Sequence, residues 1–126
     1  MKQTKPEVLK ESQKLLEELA VKRGGSVLEF HKRMANDPGI LKAFSQMYDI
    51  CNTDMKHIPK KYRELIIFAV GVATKTQVTM DVHAKLAIEN GATVDELGEV
   101  LRILFFLTGV TGFTPGLNVF EPIDTE

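Results

Sequence analysis

Two side chains in this sequence have types and spacing suited to proton transfer: Glu64 and His83, in neighbouring apolar segments with no cysteine between them. A carboxylate beside an imidazole fixes its tautomer and favours its charged form, which prepares a general acid or base. A plainer arrangement competes with this one. Glu64 can pair with Lys60 or Lys61 one turn back while His83 sits as a satisfied core histidine, since structural pairs perturb titration too. Thr76 and Thr79 share the His83 side of their helix if that helix starts near Thr76, because residues three, four and seven apart lie on one face. His31 and His57 lie among acids and lysines on other segments and are expected at the surface. One histidine with scattered carboxylates (His83, Glu64, Asp81) is a poor match to a metal site, so no metal or cofactor is expected. Cys51 is the single cysteine, which excludes an intrachain disulfide and any multi-cysteine metal site. It reads as a small buried apolar side chain on a helix.

Positioning Glu64 and His83 takes helices, and the chain is patterned for them throughout, with no useful period-two alternation. A first helix is expected from Pro6 to Lys22, with Thr4 as cap, Leu9, Leu15, Leu16, Leu19 and Ala20 as its apolar stripe, and Arg23-Gly24-Gly25 as its end. Ser26 with Glu29 reads as a capping box for a second, with Val27, Phe30 and Met34 inward. Asn36-Asp37-Pro38 starts a third. Pro59 precedes a fourth, whose run from Leu65 to Ala73 should be buried on most sides. The β-branched polar stretch from Thr74 to Thr79 predicts a break. A fifth helix then carries His83 and stops at Asn90-Gly91, and Thr93 with Glu96 caps a sixth. After Gly109 an irregular ending is expected. If the fourth and fifth helices pack antiparallel across the break, Glu64 and His83 each lie about 10 residues from the turn and their heights match at ~1.5 Å per residue.

The 126 residues suit one domain, 1–126, and 44% apolar residues suffice for a core. Two helices apolar nearly all round exceed what so small a domain buries, which predicts a homo-oligomer. Net charge of −1 and lysines without an aromatic platform (Lys56 to Lys61) argue against a nucleic-acid partner. Uninterrupted apolar runs fall short of the roughly 20 residues of a membrane span, and the charged N-terminus is unlike a signal peptide. The expectation is a cytoplasmic protein without membrane contact.

The run Arg63-Glu64-Leu65-Ile66, then Thr76-x-x-Thr79-x-x-x-His83-x-x-x-Ala87-x-x-x-Gly91-Ala92-Thr93-x-x-Glu96-Leu97-x-Glu99-Val100, resembles the carboxymuconolactone decarboxylase and AhpD-like (alkylhydroperoxidase D) family over residues 38 to 112. The resemblance implies an all-α AhpD-like bundle of about six helices, assembled as a homotrimer or homohexamer with the site at a subunit interface. In the peroxidase branch a glutamate, a C-x-x-C pair and a histidine recur at this spacing. Glu64 and His83 fall on the glutamate and histidine, and Thr76 and Thr79 on the two cysteines. A threonine hydroxyl supplies no thiolate and forms no disulfide, so that redox chemistry does not carry over. The decarboxylase branch, which protonates the carbon left when a small lactone acid loses carbon dioxide, also lacks the cysteines and keeps the histidine. It usually lacks the glutamate and places basic residues near the histidine. Here Lys85 points off the histidine face and Arg102 is on the sixth helix. The expected function is acid–base catalysis, decarboxylation or isomerisation, on a small organic acid or lactone. The alternatives are a non-catalytic oligomeric binding protein and a peroxiredoxin-like antioxidant protein, the last disfavoured by the missing cysteines.

Overall fold

Start and stop signals in the chain decide where its helices lie. In the computed structural model, which describes residues 1–125, the expected all-α architecture is present, with no strand among the described residues. Six α-helices run α1 Pro6–Lys22, α2 Glu29–Met34, α3 Pro38–Tyr48, α4 Lys60–Ala73, α5 Gln77–Glu89 and α6 Val94–Phe113. A π-helical turn (Asp49–Thr53) extends α3 and a 3₁₀ segment (Thr114–Val119) follows α6. They form two compact units, Met1–Met55 and the segment from Lys56 on.

In the first unit, Leu19, Ala35 and Leu41 form the core, flanked by Leu15, Leu16, Phe44 and Tyr48. Leu9 of the expected stripe is exposed. Ser12 is buried and donates its hydroxyl to the Ala35 carbonyl. Several expectations fail here. Lys5, not Thr4, occupies the cap position of α1 and makes no side-chain cap. The Ser26–Glu29 box does not form, because the N-cap of α2 falls at Leu28, two residues later than expected. His31 is not at the surface: it is fully buried, with its ring centroid 4.0 Å from that of Phe30 and 4.8 Å from that of Phe44. Its Nδ1 accepts the Leu28 amide at 2.9 Å, and this bond closes the start of α2 in place of the serine. Nδ1 therefore holds a lone pair and Nε2 the proton. Burial first, and the Arg23 charge second, push His31 down to about 4. Cys51 is exposed in the π-helical turn, against its expected burial, because the extra residue per turn rotates the end of α3 off its apolar face.

In the second unit, α4, α5 and α6 close on a core that includes Leu65, Phe68, Val72, Met80, Leu97 and Leu101. Thr93 and Glu96 make the expected reciprocal box, Thr93 Oγ1 accepting the Glu96 amide (3.1 Å) and Glu96 Oε2 accepting the Thr93 amide (2.9 Å). The other Glu96 oxygen binds Lys61 Nζ at 2.9 Å. Asn90-Gly91 ends α5 in a Schellman motif, Ala92 N–H to Ala87 O and Gly91 N–H to Ile88 O. The same two bonds close α4, Thr76 N–H to Gly71 O and Lys75 N–H to Val72 O, but lysine takes the position glycine prefers, at φ 56°. Exchanging Lys75→Gly relieves this left-handed strain and should raise stability by up to about 1 kcal/mol in urea titration.

The short turn returns α5 antiparallel to α4. A Cβ added at Gly71 would lie 2.9 Å from Thr79 Cγ2 and 3.1 Å from the Met80 backbone nitrogen, so the glycine admits a neighbouring backbone and not a ligand. Gly71→Ala should therefore push the helices apart and cost about 1–3 kcal/mol, read as a lower urea midpoint. α4 is less covered than its composition suggests, since Ile66 and Val70 stay more than half exposed. The segment Val94–Val119 is long and apolar enough, by length and composition, to cross a bilayer, with mean hydropathy 1.5. The expectation of short runs thus holds for uninterrupted stretches and not for this whole segment. Gly109 (φ 74°, ψ −176°) breaks the helix within it.

Candidate active site

Glu64 and Phe68 stand one turn apart on the inner face of α4, with Gly71 and Val72 on the turn beyond. Met80, Ala84 and Ala87 form the facing stripe of α5, and His83 flanks that stripe. A carboxylate is thus set into an otherwise apolar seam, where it must find partners for both oxygens.

It finds them on both sides. Arg63 donates Nε (3.1 Å) and Nη2 (2.8 Å) to Glu64 Oε1. His83 Nδ1 lies 2.5 Å from Glu64 Oε2. An ionised carboxylate only accepts, so His83 Nδ1 carries a proton and donates it. Burial pushes the Glu64 carboxyl up, but the hydrogen bonds from His83 and Arg63, with their charges, outweigh it and hold the group below the usual carboxylate range. Glu64 is 1% exposed whereas the His83 side chain is 24% exposed. The imidazole is the part of the trio that solvent and solutes reach. With Nδ1 committed to Glu64, neutral His83 offers the Nε2 lone pair as a base, and protonated His83 offers an Nε2 proton as an acid.

The two residues singled out by spacing are therefore in contact, and the rival pairing with lysine is absent: Lys61 is held by Glu96. Thr76 stands exposed just before α5, its hydroxyl 2.9 Å from that of Thr74. Thr79 lies half-buried against Gly71, as given above. Asp81 accepts from Gln77 Nε2 at 2.7 Å and takes no part in the site. No cluster of metal-binding side chains occurs among the described residues. Lys85 lies 4.0 Å from Glu89 on the exposed side of α5. His57 is exposed. Arg63 is the member sequence reasoning missed. Adjacent residues on a helix do not face one another, so an Arg-Glu step is not read as a pair. The available signal was a guanidinium beside an acid at the point where the sequence turns apolar, from Leu65 on. Two open grooves on this unit, one along α6 and one between α5 and the 3₁₀ segment, are lined by neither Glu64 nor His83.

Searches of curated proteins and of solved structures found no significant match. A family model, described as the carboxymuconolactone decarboxylase family, matches residues 38–122, well over half of the sequence. The match extends ten residues beyond the resemblance seen in the sequence, through the Gly109 break and the 3₁₀ segment. It spans the whole Arg63–Glu64–His83 arrangement. This chain belongs to the carboxymuconolactone decarboxylase family.

Proposed function

We propose that the protein catalyses proton transfer to or from carbon in a small organic acid or lactone, decarboxylation or isomerisation, with His83 Nε2 as the acid–base atom. Glu64 holds the tautomer and balances the imidazolium, and Arg63 keeps Glu64 ionised. The observation that carries this reading is the gradient of access across the trio, from a sealed, doubly anchored carboxylate to a solvent-touched imidazole. A purely structural ion pair has no need to leave its imidazole partly open to solvent.

The threonines at 76 and 79 leave no dithiol for peroxide reduction, which disfavours an antioxidant role. A non-catalytic oligomer is favoured over an enzyme by one observation, that neither groove is lined by the trio. Self-association is part of the proposal in either case. Ile103, Phe106 and Leu107 project from one side of α6, and Phe106 is 85% exposed, an apolar stripe that a second copy would cover. Sedimentation should show an oligomer that Phe106→Glu dissociates.

The test is solvent exchange at carbon. Incubated in D₂O with a panel of unsaturated γ-lactone carboxylates and β-keto acids, the protein should incorporate deuterium or release carbon dioxide with at least one of them. His83→Gln should abolish the reaction and Glu64→Gln should slow it by roughly 10²–10⁴-fold, the usual worth of a positioned acid–base group. Turnover unchanged in His83→Gln, or none across the panel, would move the assignment to the binding-protein reading.

A further inference from the structure

The groove along α6 is a separate feature. Its volume is about 310 Å³, within the range of small-molecule sites. The break at Gly109 builds it: the chain turns back there, so that Phe113, Leu117 and Phe120 stand opposite Leu101 and Phe105 of the same helix. Phe113 packs edge-on against Phe105, ring centroids 4.9 Å apart at 75°. Leu101 is buried beneath, and Gly98 leaves the end open, since a Cβ placed on it would meet nothing within 4 Å.

Among these apolar walls lies one charge, Arg102. It has no hydrogen-bond or ion-pair partner among the described residues, although Glu99 is one turn away on the same helix. A guanidinium presents a planar fork that matches a carboxylate through two parallel hydrogen bonds, and Arg102 is exposed to an incoming ligand. The groove is centred away from the stripe assigned above to self-association. At 3.6 residues per turn, Gly98, Arg102 and Phe105 centre about 120° round the helix from Ile103, Phe106 and Leu107. Arg102 stands one turn from Phe106, so the two surfaces adjoin at that edge and only their centres are separate.

We infer that this groove binds a monocarboxylic acid with an apolar body, of the size of a medium-chain fatty acid or an arylalkanoic acid, its carboxylate on Arg102 and its hydrocarbon on Phe105, Phe113 and Phe120. This site is independent of the His83 chemistry.

Octanoate and octan-1-ol are the probes, followed by amide shifts of Gly98 and Arg102 in the intact chain. Octanoate should saturate at millimolar concentration or below. Arg102→Gln should weaken octanoate at least tenfold and leave octan-1-ol unchanged, separating the charge from the apolar walls. Gly98→Leu should block both, and helical circular dichroism confirms that each variant is folded. His83→Gln should bind octanoate as the parent does, so failure of the proton-transfer reading leaves this result standing. Octanoate affinity indifferent to Arg102→Gln, no saturable shift, or broadening that vanishes only when Phe106→Glu dissociates the oligomer would each overturn the assignment, the last by giving the groove to a second copy.

Discussion

Between pH 6.5 and pH 4 the chain should lose about 3 kcal/mol of stability through one side chain, His31. The neutral ring is the form that folds: Nδ1 accepts the Leu28 amide, and the ring lies between Phe30 and Phe44 with Arg23 nearby. Protonation puts a hydrogen on Nδ1, which removes the acceptor that closes α2 and places a charge between two aromatic rings. The unfolded chain takes up the proton near 6.5 and the folded one only near 4, so the unfolded state binds more protons across that window and stability falls as pH falls. Above 6.5 the contribution is fully present; below 4 it is gone. Urea midpoints at half-unit pH intervals measure the slope. His31→Asn, whose amide oxygen can stand in for Nδ1, should flatten it. A parent slope no steeper than that of His31→Asn would show that the ring is hydrated. Glu64 responds in a different window. Its carboxyl sits below the usual range, so its contribution is present above about 4.5, the ordinary value, and is lost only as pH falls through its lower folded value. Amide exchange should therefore report loosening of α2 and α3 at a pH where α4 and α5 are still protected.

Replacement of Glu64 should be the most damaging substitution in the second unit, and its two simplest variants should fail differently. Glu64→Ala removes the carboxylate from a buried guanidinium and from His83 together and should cost about 3–5 kcal/mol, as for other broken buried pairs. His83→Ala should cost about 1–3 kcal/mol, because the histidine is partly exposed and Glu64 keeps its bonds to Arg63. Glu64→Gln keeps the shape. Its carbonyl can accept from Arg63, which turns its NH₂ toward Nδ1 of the imidazole. Two donors cannot share that bond, so neutral His83 must move its proton to Nε2 and accept at Nδ1. Ring ¹⁵N shifts should show this tautomer exchange, and with it the loss of the basic lone pair at Nε2. An Nδ1–H tautomer retained in Glu64→Gln would contradict the role given to the carboxylate, whatever the substrate is.

The sequence showed local signals best. Pro6, Asp37-Pro38, Asn90-Gly91 and the Thr93–Glu96 box act within a few residues of themselves, and each ends or begins a helix where expected. Glu64 and His83 were legible as partners for a related reason: once a turn near Thr74 is granted, equal distances from it bring them level. What was not legible depended on packing. His31 looks like one polar residue among Glu29, Lys32 and Arg33, and nothing local says that on a helix of six residues its face is the one turned inward. Lys75 gives no sign that it will adopt a left-handed backbone, since the Schellman bonds around it, and not its side chain, impose that conformation. Arg63 was hidden by adjacency. The open face of α4 was misread because composition reports how apolar a helix is and not how much of it a single chain can cover.

The turn at Thr74, Lys75 and Thr76 lies about ten residues from both Glu64 and His83, yet it fixes their register. Each residue of a helix advances its face by about 100°, so inserting or deleting one residue ahead of α5 would swing His83 from Glu64 toward solvent or into the core. Among relatives, this segment should keep its length whatever residues it carries. A single-residue indel there would break the Glu64–His83 pair from a distance, leaving every residue of the candidate site present and the arrangement itself dismantled.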